Sequence, residues 1–276
     1  VSGRPLVDLL VERGLAADIR LARSLIMQGR VLVNERRETA VGKRVPEDSA
    51  ITLREEALPY VSRGALKLRH CLEALGADAP ALAGAVCLDV GAGSGGFTQV
   101  LLEEGAARVF AVDVGRVLKD AKLREDPRVI LLEGVNARDL NADLVPQAID
   151  AFTLDVSFIS GASLLGGVKP LCSPNACGLF LAKPQFEREP DPADEKTGAF
   201  ADGVVRSRDL LVRTLVDVHR RVADSGFAVK RVLTAYPRGT RGNYEFFFLL
   251  TLAGGGMSKD EFAREVNALL ESLPLS

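Results

Sequence analysis

Two patterns of apolar residues follow one another along this chain. In RPLVDLLVER (4–13) and DIRLARSLIMQ (18–28) they recur at helical spacing. Gly14 separates the two segments, Asp18 is placed to cap the second, and Gly29 to end it. The short β-branched runs VLVN (31–34) and ITL (51–53) predict small strands split by a polar loop. Together these make a small α+β module over residues 1–55. The acidic, proline-bearing REEALPY (54–60) reads as the link that follows, set here at 56–60.

From residue 61 the pattern becomes an alternation of strand and helix. Predicted strands are AVCLDV (85–90), ARVFAVDV (107–114), RVILLE (128–133), AFTLDVS (151–157) and CGLFLAKP (177–184), with a helix at 97–104 after the first. Such alternation implies a parallel sheet with helices on both faces. After a long helix, Arg206–Ala223, come AVKRVLTAYP (228–237) and YEFFFLLTLA (244–253), joined by the short RGTRGN. That connection suits an edge hairpin, so the fold is α/β with a mostly parallel sheet and an antiparallel last strand, over 61–257. A methyltransferase sheet is Rossmann-like in this way, whereas a dinucleotide domain continues with a second parallel half. Ser258-Lys-Asp-Glu261 then reads as a capping box. It opens a final helix (258–276) whose Phe262, Val266, Leu269, Leu270 and Leu273 form one face against the domain.

Composition narrows the class. The 276 residues are 47% apolar and 26% charged, an ordinary globular balance. The formal charge of −2 is unevenly spread: residues 1–70 hold thirteen Lys/Arg against nine Asp/Glu, or +4, leaving −6 for the rest. A basic front on an acidic body suits an anionic partner met from the N-terminal side. The four cysteines lack a C-x-x-C pair and only His70 and His219 are present, so no metal site is expected and the thiols read as buried and free. VSGRPLVDLL has no apolar signal-peptide region, and Phe246–Ala253 falls well short of the ~20 residues of a spanning helix. The expected location is the cytoplasm, with no membrane association and no obligate protein partner.

The chemistry begins at LDVGAGSGGFT (88–98). Asp89, Gly91, Gly93, Gly95, Gly96 and Phe97 can be read as a dinucleotide turn or as one for S-adenosylmethionine. Glycines there let backbone approach a ligand closely. Asp113, ending the second strand, is placed to accept from ribose hydroxyls in either cofactor. On these residues the cofactor's kind stays open.

Four further segments are distinctive: VSRGALKL (61–68), LDVSFIS (154–160), LAKPQFE (181–187) and GNYEFFF (242–248). They hold Lys67, Asp155, Lys183 and Glu245, and two of these end predicted parallel strands, where open α/β sheets bind ligands. With GAGSGGFT, AVDVG, DPRV and NARDL, these segments resemble the TlyA family (older name hemolysin A) within the FtsJ-like ribose 2′-O-methyltransferases. The resemblance covers nearly all of the chain. It implies S-adenosyl-L-methionine as cofactor, ribosomal RNA or assembled ribosomal subunits as partner, and an RNA-binding module at 1–55. It further implies Lys67, Asp155, Lys183 and Glu245 as the catalytic tetrad, Asp155 also lining the cofactor site, and Asn136 as the adenine contact. One departure is REPDPADEKTGAF (188–200), more acidic than the family's usual glycine- and lysine-bearing loop.

The residue types suit the chemistry. A ribose hydroxyl is a poor nucleophile, so the site must align it with an activated methyl and remove a proton; alignment alone is credited with up to ~7–11 kcal/mol. A lysine becomes a base when burial and a neighbouring cation lower its pKa from ~10.4. Base methylation relies instead on an Asn/Asp-Pro-Pro-aromatic loop or a cysteine nucleophile, and Asp155-Val-Ser-Phe158 offers neither. Arg4, Arg20, Arg23, Arg30, Arg36 and Arg37 in the module, and Arg63 beyond it, are the expected phosphate contacts. The competing readings are a non-catalytic RNA-binding protein, a membrane-active hemolysin and a dehydrogenase.

Overall fold

The computed structural model describes residues 3–16, 18–27, 29–53, 60–115, 118, 120–189, 191–252 and 254–273, with only the backbone at Thr240. It divides into two compact units, Val1–Pro59 and Tyr60–Ser276. Of the segment read as a linker, residues 56–59 lie outside the described residues and Tyr60 begins the large unit.

In the small unit Arg4–Pro5 is extended, pairs with Arg44–Val45, and only then does helix Leu6–Glu12 begin. The first helix therefore starts later than its apolar pattern suggested, because Pro5 sits in extended backbone (φ −59°, ψ 129°) and serves as its N-cap. The second helix, Ile19–Met27, opens as expected: the Leu21 N–H donates to Asp18 Oδ1 at 2.7 Å. Gly29, at φ +65°, closes it. Strand Val31–Val33 lies between Arg36–Glu38 and Ile51–Leu53 in an antiparallel sheet. The Arg36–Glu38 strand was hidden in the polar loop, since RRE carries no apolar signal. It returns through Asn34 and Glu35, both at positive φ (+49° and +65°), a two-residue turn whose twist matches a hairpin. Leu6, Leu9, Leu10, Ala22, Ile26, Val31 and Val45 form the core.

Among the described residues the main sheet of the large unit has seven strands: β1 (Val86–Val90), β2 (Arg108–Asp113), β3 (Val129–Glu133), β4 (Ile149–Leu154), β5 (Cys172–Ala182), β6 (Ala228–Thr234) and β7 (Phe246–Thr251). Their order is β6-β7-β5-β4-β1-β2-β3. Pairs among β1 to β5 are parallel, while β7 is antiparallel to both β5 and β6. The reversed strand is thus last in the chain but interior in the sheet. Its run FFFLLT suits that place, because apolar side chains on both faces meet cover.

Four longer helices supply the cover: α1 (Arg63–Leu75), α2 (Gly96–Glu103), α3 (Arg208–Asp224) and α4 (Lys259–Glu271). Alternate strand residues feed two cores. Leu88, Val90, Phe110, Phe152, Phe180, Phe246 and Phe248 meet Leu211, Leu215 and Val218 of α3 and Phe262 and Val266 of α4. On the other face Cys87, Val109, Ala151, Leu179, Phe247 and Leu249 meet Leu68 and Leu72 of α1 and Phe97 and Leu101 of α2. The capping box forms: the Ser258 N–H donates to Glu261 Oε2 at 2.8 Å and the Glu261 N–H to Ser258 Oγ at 3.3 Å. Phe262, Val266 and Leu270 are buried, with Leu269 and Leu273 packed at the margin.

The acidic segment after Lys183 folds against its own cations. Asp191 caps a short helix, Pro192–Lys196, and Asp194 pairs with Arg188 at 2.8 Å and Arg213 at 3.2 Å. The Arg188 guanidinium beside it holds the Asp194 carboxyl below the usual range. Of the cysteines, Cys71 and Cys87 are buried as expected, their thiols pushed up to about 12 by burial, while Cys172 and Cys177 are half-buried.

Candidate active site

β1 lies between β2 and β4, so the chain leaves it in opposite directions on its two sides. Such a switch point opens a crevice at the carboxyl ends of the strands. The glycine turn lines it. Gly91 and Gly93 adopt φ +82° and +52°, and Gly95 starts α2 at φ +95°. The Gly93 N–H donates to Asp113 Oδ2 at 3.0 Å and the Gly115 N–H to Oδ1 at 2.8 Å. These bonds hold the carboxylate at the crevice while leaving lone pairs for a ligand. A Cβ on Gly96 would overlap Ser62 Oγ, so this glycine lets α2 approach the start of α1, the helix that carries Lys67.

Asp155 and Lys183 each follow directly on a strand, β4 and β5, and meet as an ion pair, Nζ to Oδ1 at 2.5 Å. Lys183 also donates to Ser157 Oγ at 3.0 Å. Lys67 reaches Glu245, at the start of β7, with Nζ 2.5 Å from Oε2. Lys67, Lys183 and Glu245 are 8%, 9% and 3% exposed, so both pairs are largely desolvated and bind tightly only because each charge has its counterion.

Three adjoining cavities connect these groups. One of about 380 Å³ is lined by Gly91, Gly93, Asp113, Asn136, Asp155 and Lys183. A second of about 340 Å³ is lined by Lys67, Lys183, Glu245, Gln185 and Phe186. A smaller one of about 150 Å³ touches Lys67, Gly91, Gly96, Phe97 and Asp155. Lys183, Ser157 and Phe158 line both larger cavities and so mark where they meet. A wider recess of about 600 Å³ lies at Arg188, Arg213 and Arg220, but none of the four tetrad residues lines it and those arginines are spent on Asp194, Asp217 and Asp224.

The expected tetrad is therefore gathered in one place, as two lysine–carboxylate pairs. Of the expected cofactor contacts, Gly91, Gly93, Asp113, Asn136 and Asp155 share the 380 Å³ cavity, and Gly96 and Phe97 line the small one. Two lie elsewhere. Asp89 is 0% exposed and accepts from Thr98 Oγ1 at 2.6 Å and Thr153 Oγ1 at 2.8 Å, so it braces the turn from beneath. Burial pushes its carboxyl up to about 6. Gly95 faces Leu118 and Leu123, where a Cβ would not fit. Asn136 Oδ1 accepts from the Arg138 N–H at 3.0 Å, which leaves its amide donors to face the cavity.

Among the expected RNA contacts, Arg20, Arg23, Arg36 and Arg37 are exposed and Arg30 is half-buried. Arg4 is held by Glu12 at 2.9 Å and Glu47 at 3.0 Å. In the large unit Arg63 is exposed at the start of α1 and donates to the Arg238 carbonyl at 3.3 Å.

Sequence reasoning passed over several lining residues. Phe158 is 88% exposed at φ +69°, a strained setting for an aromatic, and its ring lies 5.2 Å from that of Phe186. Gln185, Arg241 and Asn243 also line the tetrad cavity. The motifs DVSFIS and KPQFE contained three of these residues; only the fold shows that they face the lysines. Glu187, 6% exposed, was missed too. It accepts from Ser160 Oγ at 2.6 Å and the Gly161 N–H at 2.7 Å, tying the loop after β4 to the loop after β5.

The residues present fit S-adenosylmethionine: a glycine cradle that Cβ atoms would fill, a carboxylate at the strand end, and a cavity of nucleoside size. Comparison with known proteins agrees. Residues 60–250 match the FtsJ-like methyltransferase family and residues 4–51 the S4 domain. The chain is 38% identical to the 16S/23S rRNA (cytidine-2′-O)-methyltransferase TlyA of Mycobacterium tuberculosis, over 87% of each. It is 33% identical to the 23S rRNA (cytidine-2′-O)-methyltransferase TlyA of Campylobacter jejuni, over 74% of this chain and 77% of that one. A solved structure of a proposed hemolysin from Streptococcus thermophilus superposes with a TM-score of 0.70 at 29% identity, covering 98% of this chain and 96% of that one. Among the described residues no helix is long and apolar enough to cross a membrane. The chain belongs to the TlyA family of FtsJ-like, S-adenosylmethionine-dependent rRNA 2′-O-methyltransferases, with an S4 domain preceding the catalytic unit.

Proposed function

We propose that the large unit methylates the 2′-hydroxyl of a cytidine in ribosomal RNA, with Lys183 receiving the hydroxyl proton as a neutral amine, after its ammonium has released a proton to solvent. The observation that carries this reading is the position of Lys183, which lines both the glycine-turn cavity and the tetrad cavity. A nucleophile held against Lys183 Nζ stands at the junction, where a methyl group would enter from the other side. Gly91, Gly93, Asp113 and Asn136 would hold S-adenosylmethionine, whose sulfonium would supply the methyl group. Asp155 and Ser157 orient the Lys183 amine through bonds of 2.5 and 3.0 Å. Lys67, held by Glu245, brings a cation to the wall where negative charge grows on the ribose oxygen. Phe158 offers an exposed ring at the mouth, suited to stacking an unpaired base. The small unit contributes RNA affinity through its exposed arginines.

The test is Lys183→Ala with labelled methyl and unmodified ribosomal subunits. Cofactor affinity should stay near that of the unaltered chain while transfer is abolished. Lys183→Arg should fail as well, because a guanidinium keeps its proton. Labelling of a target carrying a 2′-deoxy sugar, or full activity of Lys183→Ala, would overturn the reading.

A further inference from the structure

The polar groups lining the tetrad cavity are almost all committed. Lys67 and Glu245 hold each other, and Lys183 holds Asp155 and Ser157. Asn243 accepts from the Val205 N–H at 3.1 Å and donates to the Gly203 carbonyl at 2.8 Å, and Arg241 donates to the Asp202 carbonyl at 2.8 Å. Gln185 differs. Its Oε1 is buried and has no hydrogen-bond partner among the described residues. A carbonyl oxygen taken out of water without a donor is costly, so its persistence beside a substrate cavity points to a donor that arrives with the ligand.

The chemistry of that donor is restricted. Phosphates and ether oxygens of RNA only accept, and the 2′-hydroxyl is committed to Lys183 under the proposed function, on which this inference rests. Flanking 2′-hydroxyls can donate too, but they are the same on every nucleotide, so the donor that can distinguish one target from another is on the base edge. Cytosine presents an N4 amino group, a donor, where uracil presents a carbonyl oxygen that would repel Gln185 Oε1. The residue is also well fixed. It lies in the short helix Pro184–Glu187 that directly follows Lys183, and that helix is anchored by Glu187 to Ser160 and Gly161. Its neighbour Phe186 forms the aromatic wall with Phe158. We propose that Gln185 reads the target base, accepting from the cytosine amino group and so selecting cytidine over uridine for methylation.

The experiment compares kcat/KM on ribosomal subunits that carry C or U at the nucleotide methylated by the unaltered chain. A single neutral hydrogen bond sets the expected preference at about tenfold for C. Gln185→Leu, which has no acceptor, should bring the C-to-U ratio close to one. Gln185→Glu, which keeps an acceptor, should retain it. A merely structural role would lower both rates together and leave the ratio alone. Titration with S-adenosylmethionine checks that each variant is folded. Equal rates of the unaltered chain on C and U, or an unchanged ratio in Gln185→Leu, would overturn the proposal. A 2′-deoxycytidine target separates this from failure of the 2′-O reading, since its methylation would defeat that reading whatever the ratio.

Discussion

Gly91 lies so close to Asp155 that a Cβ on the glycine would overlap the aspartate's carbonyl oxygen. The Asp155 N–H also donates to the Val90 carbonyl at 2.9 Å, so the glycine turn and the loop that carries Asp155 form one piece. Gly91→Ala meets two obstacles: a left-handed φ of +82° that disfavours any Cβ, and the overlap itself. Isothermal titration should show S-adenosylmethionine affinity reduced by about 5- to 150-fold, as expected for a strain of 1–3 kcal/mol. Methylation at saturating cofactor should fall further, because Asp155 shifts away from Lys183. Normal methylation once cofactor is saturating would show that the two loops are independent.

Asp89 gives a pH signature. Its carboxyl stands at about 6 against an ordinary 3.8, chiefly through burial. Below the lower value both folded and unfolded chains carry the proton. Between the two the folded chain keeps a proton that the unfolded chain has lost, so stability falls as pH rises through this window. The loss is on the order of 1–3 kcal/mol and is complete above the folded-state value. Asp89→Asn removes the titration while keeping an oxygen for one threonine hydroxyl and an N–H for the other. Denaturant unfolding should therefore find the variant gaining stability relative to the unaltered chain between pH 4.5 and pH 7.5. A constant difference across that range would rule out Asp89 as the source.

The Lys67–Glu245 pair should behave as a buried pair does when broken from one side. Glu245→Ala leaves an ammonium desolvated without its counterion, at an expected cost of about 3–5 kcal/mol. Lys67→Met together with Glu245→Leu removes both charges and should cost less than Glu245→Ala alone, although neither variant would transfer methyl groups. Gly239→Ala bears on the same pair, since a Cβ there would overlap Glu245 Oε1. Urea unfolding of the three proteins decides the order; a double variant less stable than the single one would contradict it.

The strands were legible because both faces of the sheet are covered, which writes them as apolar runs such as VFAVD and FFFLL. The place of β7 was not, because an interior reversed strand and an edge strand carry the same pattern. Strand Arg36–Glu38 was invisible for a different reason: its backbone pairs across a tight turn while Arg36 and Arg37 stay in water and only Glu38 is half-buried. At the site, Asp155 and Lys183 drew notice at the ends of predicted parallel strands, whereas Lys67 and Glu245 entered only through the resemblance of their motifs to the TlyA family. Asp89 misled, since a carboxylate beside a glycine turn reads the same whether it faces a ligand or two threonine hydroxyls. Gln185 and Phe158 could be singled out only by burial and dihedral angle, which a string of letters does not hold.

The small unit offers the last prediction. Arg20, Arg23, Arg36 and Arg37 are exposed on it, and none is needed for its core. The proposed cofactor contacts all belong to Tyr60–Ser276, so a chain beginning at Tyr60 should bind S-adenosylmethionine as the full chain does. It should methylate ribosomal subunits far more slowly, because it has lost the cations proposed to hold the RNA. The distinction is sharpened by salt. Each phosphate contact releases counterions, so full-chain affinity should fall steeply with salt concentration, and each lost contact should reduce the logarithmic slope by about 0.7–0.9. Arg36→Ala and Arg37→Ala, at side chains that stay in water, should weaken RNA binding with little change in unfolding midpoint. Filter binding of rRNA across a salt series, alongside methylation rates for both chain lengths, makes the comparison. Equal rates for the shortened chain, or a slope unmoved by the arginine changes, would place RNA recognition in the catalytic unit instead.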